Sequence, residues 1–111
     1  MVPRSMTAPW EIDVLTAARS REAGALLLDV REPDELALCA LPGCTAIPLG
    51  EVPAGLARLP RDRDILVLCH HGSRSRLAVR FLREQGFDRA SNVTGGIDAW
   101  ARQVDPALPR Y

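Results

Sequence analysis

Short apolar runs alternate with stretches of helical periodicity along the whole chain. Leu26-Leu27-Leu28-Asp29-Val30 is a continuous apolar run interrupted only near its end by an acid, the pattern of a strand covered on both faces. Ile65-Leu66-Val67-Leu68 is the strongest such run, with no polar alternation, and predicts a central strand. Thr45-Ala46-Ile47-Pro48 predicts a short edge strand, and Ser91-Asn92-Val93 a last short one. Between these runs lie helical signals. Pro33, with Asp34 and Glu35 behind it, opens a helix over residues 33–39 that Leu41-Pro42-Gly43 breaks. A short helix is predicted over 51–59, ahead of Pro60. A longer one covers 74–85, where Ala78, Phe81, Leu82 and Gln85 share a face with Leu77 beside them. Arg76, Arg80 and Arg83 take the solvated side.

Gly86 caps that helix, and Gly95-Gly96 turns into a last one over 97–103 carrying Trp100. Residues 11–21 read as a short strand and a helix, and the tail from Val104, with Pro106 and Pro109, as irregular. Trp100, Phe81 and Phe87 are expected in the core. The alternation of strands and helices points to an α/β domain with a mostly parallel sheet and helices on both faces.

Composition narrows the function classes. The chain has 111 residues, enough for one domain with a real core. Residues 1–5 read as an expression-tag remnant, leaving 6–111 as a single domain. Fourteen basic residues balance fourteen acidic ones, so neither a nucleic acid nor a membrane is expected as a partner. Every basic residue is Arg, which excludes a Schiff-base lysine and a Walker-type phosphate loop. The three cysteines, Cys39, Cys44 and Cys69, are an odd count and fit a reducing cytoplasm better than a secreted disulfide scaffold.

Candidate chemistry gathers after the strongest strand. Cys69 ends that run, and His70-His71-Gly72-Ser73-Arg74-Ser75 leads into the longest helix. Ligands of open α/β sheets bind beyond the carboxyl ends of the strands. Three effects favour a thiolate there: the free N–H groups and dipole of a helix start, a nest of loop amides, and the charge of Arg74. Such a thiolate requires a side chain that solvent can reach. Both histidines of the chain adjoin Cys69; substrate shaping and no role at all stay equally open for them. A zinc site from Cys69, His70 and His71 is not expected, because adjacent ligands on one tight loop do not converge on one ion. Cys39 and Cys44 are read as small, largely buried residues in preference to a disulfide or a sulfur relay.

The segment Cys69-His70-His71-Gly72-Ser73-Arg74-Ser75 resembles the active-site loop of the single-domain rhodanese (thiosulfate sulfurtransferase) family. Asp29-Val30-Arg31-Glu32, the stretch from Leu41-Pro42-Gly43 to Ile47-Pro48, and Gly95-Gly96-Ile97-Asp98-Ala99-Trp100 resemble its other signatures, in order. The tail from Val104 to Tyr111 is similar to that of a bacterial subgroup. The resemblance implies a rhodanese-like three-layer domain with a central, mostly parallel five-stranded sheet. It also implies that Cys69 attacks the outer sulfur of thiosulfate or a related donor, holds a persulfide, and yields the sulfur to a thiol or cyanide. The loop from His70 to Ser75 would bind the substrate, and Asp29 and Arg31 would brace that loop through salt bridges. No metal or organic cofactor is implied. An acceptor protein is a further candidate partner, and a monomer or weak dimer is expected.

Two other readings compete. One is a sulfur-carrier or protein-binding module with little free turnover. The other is a phosphatase or arsenate reductase on the same fold. Those enzymes use the longer C-x5-R loop, whereas Arg74 stands five positions after Cys69, which is C-x4-R.

Overall fold

A computed structural model describes residues 8–111. The expected tag remnant lies outside the described residues. Five strands form one all-parallel sheet: β1 (Glu11–Ile12), β2 (Leu26–Asp29), β3 (Thr45–Ala46), β4 (Ile65–Leu68) and β5 (Ala90–Val93). Their spatial order is β1-β5-β4-β2-β3, so β4 is the middle strand, as its unbroken apolar run predicts. Three α-helices link successive strands, α1 (Val14–Glu22), α2 (Pro33–Leu38) and α3 (Ser73–Glu84), and α4 (Gly96–Gln103) follows β5.

Strand alternation explains why both faces are covered. Ile65, Val67 and Cys69 point into one apolar cluster with Ala78, Val79 and Leu82 of α3, and with Val52 and Leu59. Leu66 and Leu68 point the other way, into a cluster with Val14 and Ala17 of α1 and Ile97 and Trp100 of α4. The three-layer architecture is thus dictated by a strand whose every side chain is apolar.

Two expectations change. The predicted helix over 51–59 is two 3-10 segments, Leu49–Glu51 and Pro53–Arg58. Gly50, Pro53 and Gly55 leave too few good α-helix formers there for i→i+4 bonding to propagate. The buried face of α3 is also rotated. Ser75, Ala78, Val79 and Leu82 are buried, while Leu77 is 58% exposed. Phe81 is half-buried against the core; Trp100 and Phe87 are fully within it. No helix among the described residues is long and apolar enough to cross a membrane.

Candidate active site

β4 ends on Leu68 in the middle of the sheet and delivers Cys69 to its carboxyl edge. The chain cannot enter α3 directly, and Gly72 supplies the turn with φ +112°, a conformation that glycine adopts without steric cost. This folds the loop back onto the sulfur. Gly72 N–H donates to Cys69 Sγ at 3.1 Å, and Ser75 Oγ lies 3.2 Å from the same atom. Sγ therefore sits at the start of a helix of twelve residues with no acid in its first turn, the end where a helix favours negative charge.

Ser75 carries one hydroxyl proton and faces two acceptors, Cys69 Sγ and the nearer Asn92 Oδ1. The orientation of the Asn92 amide is fixed because its Nδ2 donates to Glu11 Oε1 at 2.9 Å and to Gly72 O at 3.0 Å. With its proton on Asn92, Ser75 offers lone pairs to a protonated sulfur. Turned round, the same hydroxyl donates to an anionic one. Asn92, fully buried on β5, thus joins the Gly72 turn, Ser75 and Glu11 in one network. Burial pushes the Glu11 carboxyl up, but bonds from Arg76, Thr94 and Asn92 outweigh it and hold Glu11 below its ordinary value.

The hydrogen bonds of Arg74 go to Glu35, not to the sulfur. Its guanidinium grips Glu35 of α2 with both terminal nitrogens, at 2.5 and 2.8 Å. That grip is the main reason the Glu35 carboxyl titrates at about 2, with burial opposing it and the Tyr111 hydroxyl assisting. Arg74 therefore ties the start of α3 to α2.

Asp29 and Arg31 form a fully buried ion pair at 2.7 Å. Arg31 donates further to Cys39 O at 2.7 Å, Glu35 O at 3.4 Å and the Tyr111 hydroxyl at 2.9 Å. Among the described residues, no hydrogen bond of this pair reaches the 70–75 loop. The bracing expected there runs instead through Arg74 and Glu35, because Arg31 is turned inward along the turn that follows β2. Cys39 and Cys44 are free, and burial pushes both thiols up, as suits small, largely covered residues.

His71 is exposed and His70 half-buried, their rings 3.9 Å apart. Asp98 of α4 comes within 4.8 Å of both imidazoles, but its carboxylate is engaged by Arg102 at 3.1 Å and Arg110 at 3.5 Å. The surface groove beside α3 is lined by Trp10, Glu11, Ser73, Arg76, Leu77 and Arg80 and does not include Cys69.

One expectation about Cys69 changes. The residue has no exposed surface in this structure, although the chemistry expected of it needs contact with solvent. The left-handed turn at Gly72 and the hydroxyl of Ser75 close over Sγ from one side. Gly96 packs against the backbone of the loop so closely that an added Cβ would lie 2.4 Å from both Cys69 O and His70 O. The sequence motifs contain Cys69, Gly72, Arg74 and Ser75. Glu35, Asn92 and Tyr111 are the participants they do not reveal; Glu35 carried only a helix-start signal, and Asn92 only a strand signal.

The model of the rhodanese-like domain family matches residues 13–103. The rhodanese-like/PpiC domain-containing protein 12, chloroplastic, of Arabidopsis thaliana is 41% identical over 91 residues, which is 78% of this chain and 30% of that protein. A sulfurtransferase of Allochromatium vinosum is 40% identical over 83 residues, 75% of this chain and 78% of that protein. The solved structure of a rhodanese-related protein from Thermoplasma volcanium superposes with a TM-score of 0.80 at 32% identity, covering 93% of this chain and all 100% of that one.

Proposed function

The chain belongs to the rhodanese-like domain family, and from that premise we propose that it is a sulfurtransferase working through a persulfide on Cys69. The observation that supports this most is a cysteine sulfur at the carboxyl edge of the central strand, bonded by Gly72 N–H and within reach of the Ser75 hydroxyl. In the first step the Cys69 thiolate attacks the outer sulfur of thiosulfate or a related donor. A sulfur–sulfur bond forms to Cys69, the donor's own sulfur–sulfur bond breaks, and sulfite departs with the electron pair. In the second step a thiolate or cyanide attacks the outer sulfur of the persulfide and releases the Cys69 thiolate. No net oxidant is needed, and the loop amides stabilise the anion at each stage. Ser75 turns its hydroxyl to the sulfur while it is charged and back to Asn92 when it is protonated.

Thiosulfate incubation followed by intact mass measurement tests this. The expected result is an adduct of one sulfur atom on the parent chain, removed by cyanide and absent in Cys69→Ala. Equal behaviour of parent and variant would overturn the assignment. A second reading, a sulfur carrier that turns over only with an acceptor protein, draws on the covered position of Sγ. It predicts a stable persulfide with little thiosulfate:cyanide turnover.

A further inference from the structure

The segment that follows α4 does not trail away from the domain. Val104 and Asp105 donate their amides to Trp100 O at 2.9 and 3.0 Å, and Leu108 packs against the core cluster beside α4. Arg110 reaches Asp98 at 3.5 Å. These anchors carry the chain across the sheet's carboxyl edge to Tyr111. There the phenol ring stacks on the His70 imidazole, 3.9 Å between centroids and 9° from parallel. Its hydroxyl accepts from Arg31 Nη1 at 2.9 Å and donates to Glu35 Oε2 at 2.8 Å. One side chain therefore touches three parts of the site at once: the residue after Cys69, the buried Asp29–Arg31 pair, and the carboxylate that holds Arg74.

Resting on the reading of Cys69 as the sulfur-carrying thiol, we propose that Tyr111 is the access-controlling residue of this site, a latch that closes segment 104–111 over the Cys69 loop and must lift before donor and acceptor reach the sulfur. Two independent observations meet in it. Cys69 has no exposed surface, so either reaction step requires something to move, and Tyr111 lies on the residue that follows it. And the imidazole under the Tyr111 ring has its Nε2 buried without a hydrogen-bond partner, a cost that exposure to water would remove. Gly72 and Ser75 are tied to Asn92 of β5, so of the groups around this loop Tyr111 is the more movable. Tyr111 is 38% exposed, held by one ring face and one hydroxyl, and can leave without unfolding any helix or strand. Closed, it shields a persulfide from bulky thiols in solution; open, it presents the rim of His70, His71 and Arg74 to the correct partner.

The test compares parent, Tyr111→Phe and Tyr111→Ala. Iodoacetamide alkylation of Cys69 and thiosulfate-driven sulfur uptake are both followed by mass. A latch closed more than about nine-tenths of the time slows entry about tenfold or more. Tyr111→Ala is therefore expected to raise both rates by at least about that factor. Tyr111→Phe, which keeps the stack and loses both hydroxyl bonds, should fall between. The chain has two histidines and one tyrosine, so the ring-current shift of the His70 imidazole protons reports the stack itself and should vanish in Tyr111→Ala. Equal alkylation and uptake rates in all three chains, with Cys69 reacting, would overturn the latch alone. A thiol that takes no sulfur in any variant would overturn the latch and the sulfur-transfer reading together. An unshifted His70 signal in the parent would overturn the latch whatever the thiol does.

Discussion

β2 and β4 lie side by side, both end at the same edge of the sheet, and each runs into a turn and then a helix. Their ends are nonetheless opposite in character. After β2, Asp29 and Arg31 make a closed set: Arg31 directs its guanidinium to Asp29, Cys39 O, Glu35 O and the Tyr111 hydroxyl, and nothing is left over. After β4, the Cys69 sulfur faces a Gly72 amide and a shared Ser75 proton, and neighbouring His70 Nε2 has no partner. A buried polar group whose partners are complete holds a fold; one whose partners can be rearranged supports chemistry. Asp29, Arg31 and Cys69 are equally buried, so burial alone does not separate the ion-paired end from the candidate active site.

The largest expected effect lies at the β2 end. Asp29→Ala leaves the Arg31 charge buried without its carboxylate and is expected to cost about 3–5 kcal/mol, read from urea unfolding. A loss below about 1 kcal/mol would show that the pair is not the keystone of the β2 end. Next comes the contact between α4 and the Cys69 loop. Gly96 has φ +60°, and an added Cβ would meet two carbonyl oxygens at 2.4 Å. Gly96→Ala is expected to lose more than about 2 kcal/mol and to slow sulfur uptake further than the stability loss accounts for. Unchanged uptake would mean that the loop tolerates displacement.

The smallest effect lies on the bridge between the two ends. Glu35 titrates at about 2 in the folded chain, against an ordinary value of 4.5. A carboxyl depressed by folding stabilises above the unfolded value and loses that contribution as pH falls through the folded one. Both side chains of the Arg74–Glu35 pair are partly open to solvent, so Glu35→Gln should cost only about 1 kcal/mol at pH 7. The gap between parent and variant should hold above pH 4.5 and shrink from there toward about 2. A gap constant across that window, in urea midpoints, would assign the loss to packing.

Different parts of this molecule were legible in the sequence for different reasons. β4 declared itself because both its faces are covered, leaving four consecutive apolar positions and no competing period. The Cys69 loop was legible because its parts are contiguous. The face of α3 departs from its apolar pattern because Ser75 is polar yet buried, satisfied by Asn92 and Cys69, while apolar Leu77 lies outside the stripe. Glu35, Asn92 and Tyr111 meet the site from positions far along the chain, and nothing in their local patterns announces the meeting. The bracing expected from Asp29 and Arg31 failed on direction. Proximity to the right sheet edge was readable, but which way a guanidinium turns is settled by the carbonyls that the following turn presents to it.

The first turn of α4 holds two carbonyls of the Cys69 loop: Ile97 N–H donates to Cys69 O at 2.8 Å and Asp98 N–H to His70 O at 3.1 Å. Every described peptide is trans, so each C=O lies antiparallel to the N–H that follows it. Pinning those two oxygens toward α4 therefore aims the amides of His70 and His71 the opposite way. A helix that lends no side chain to the sulfur thus acts as a compass for the dipoles around it, and rotating α4 by a fraction of a turn would reorient them without altering a single residue of the loop.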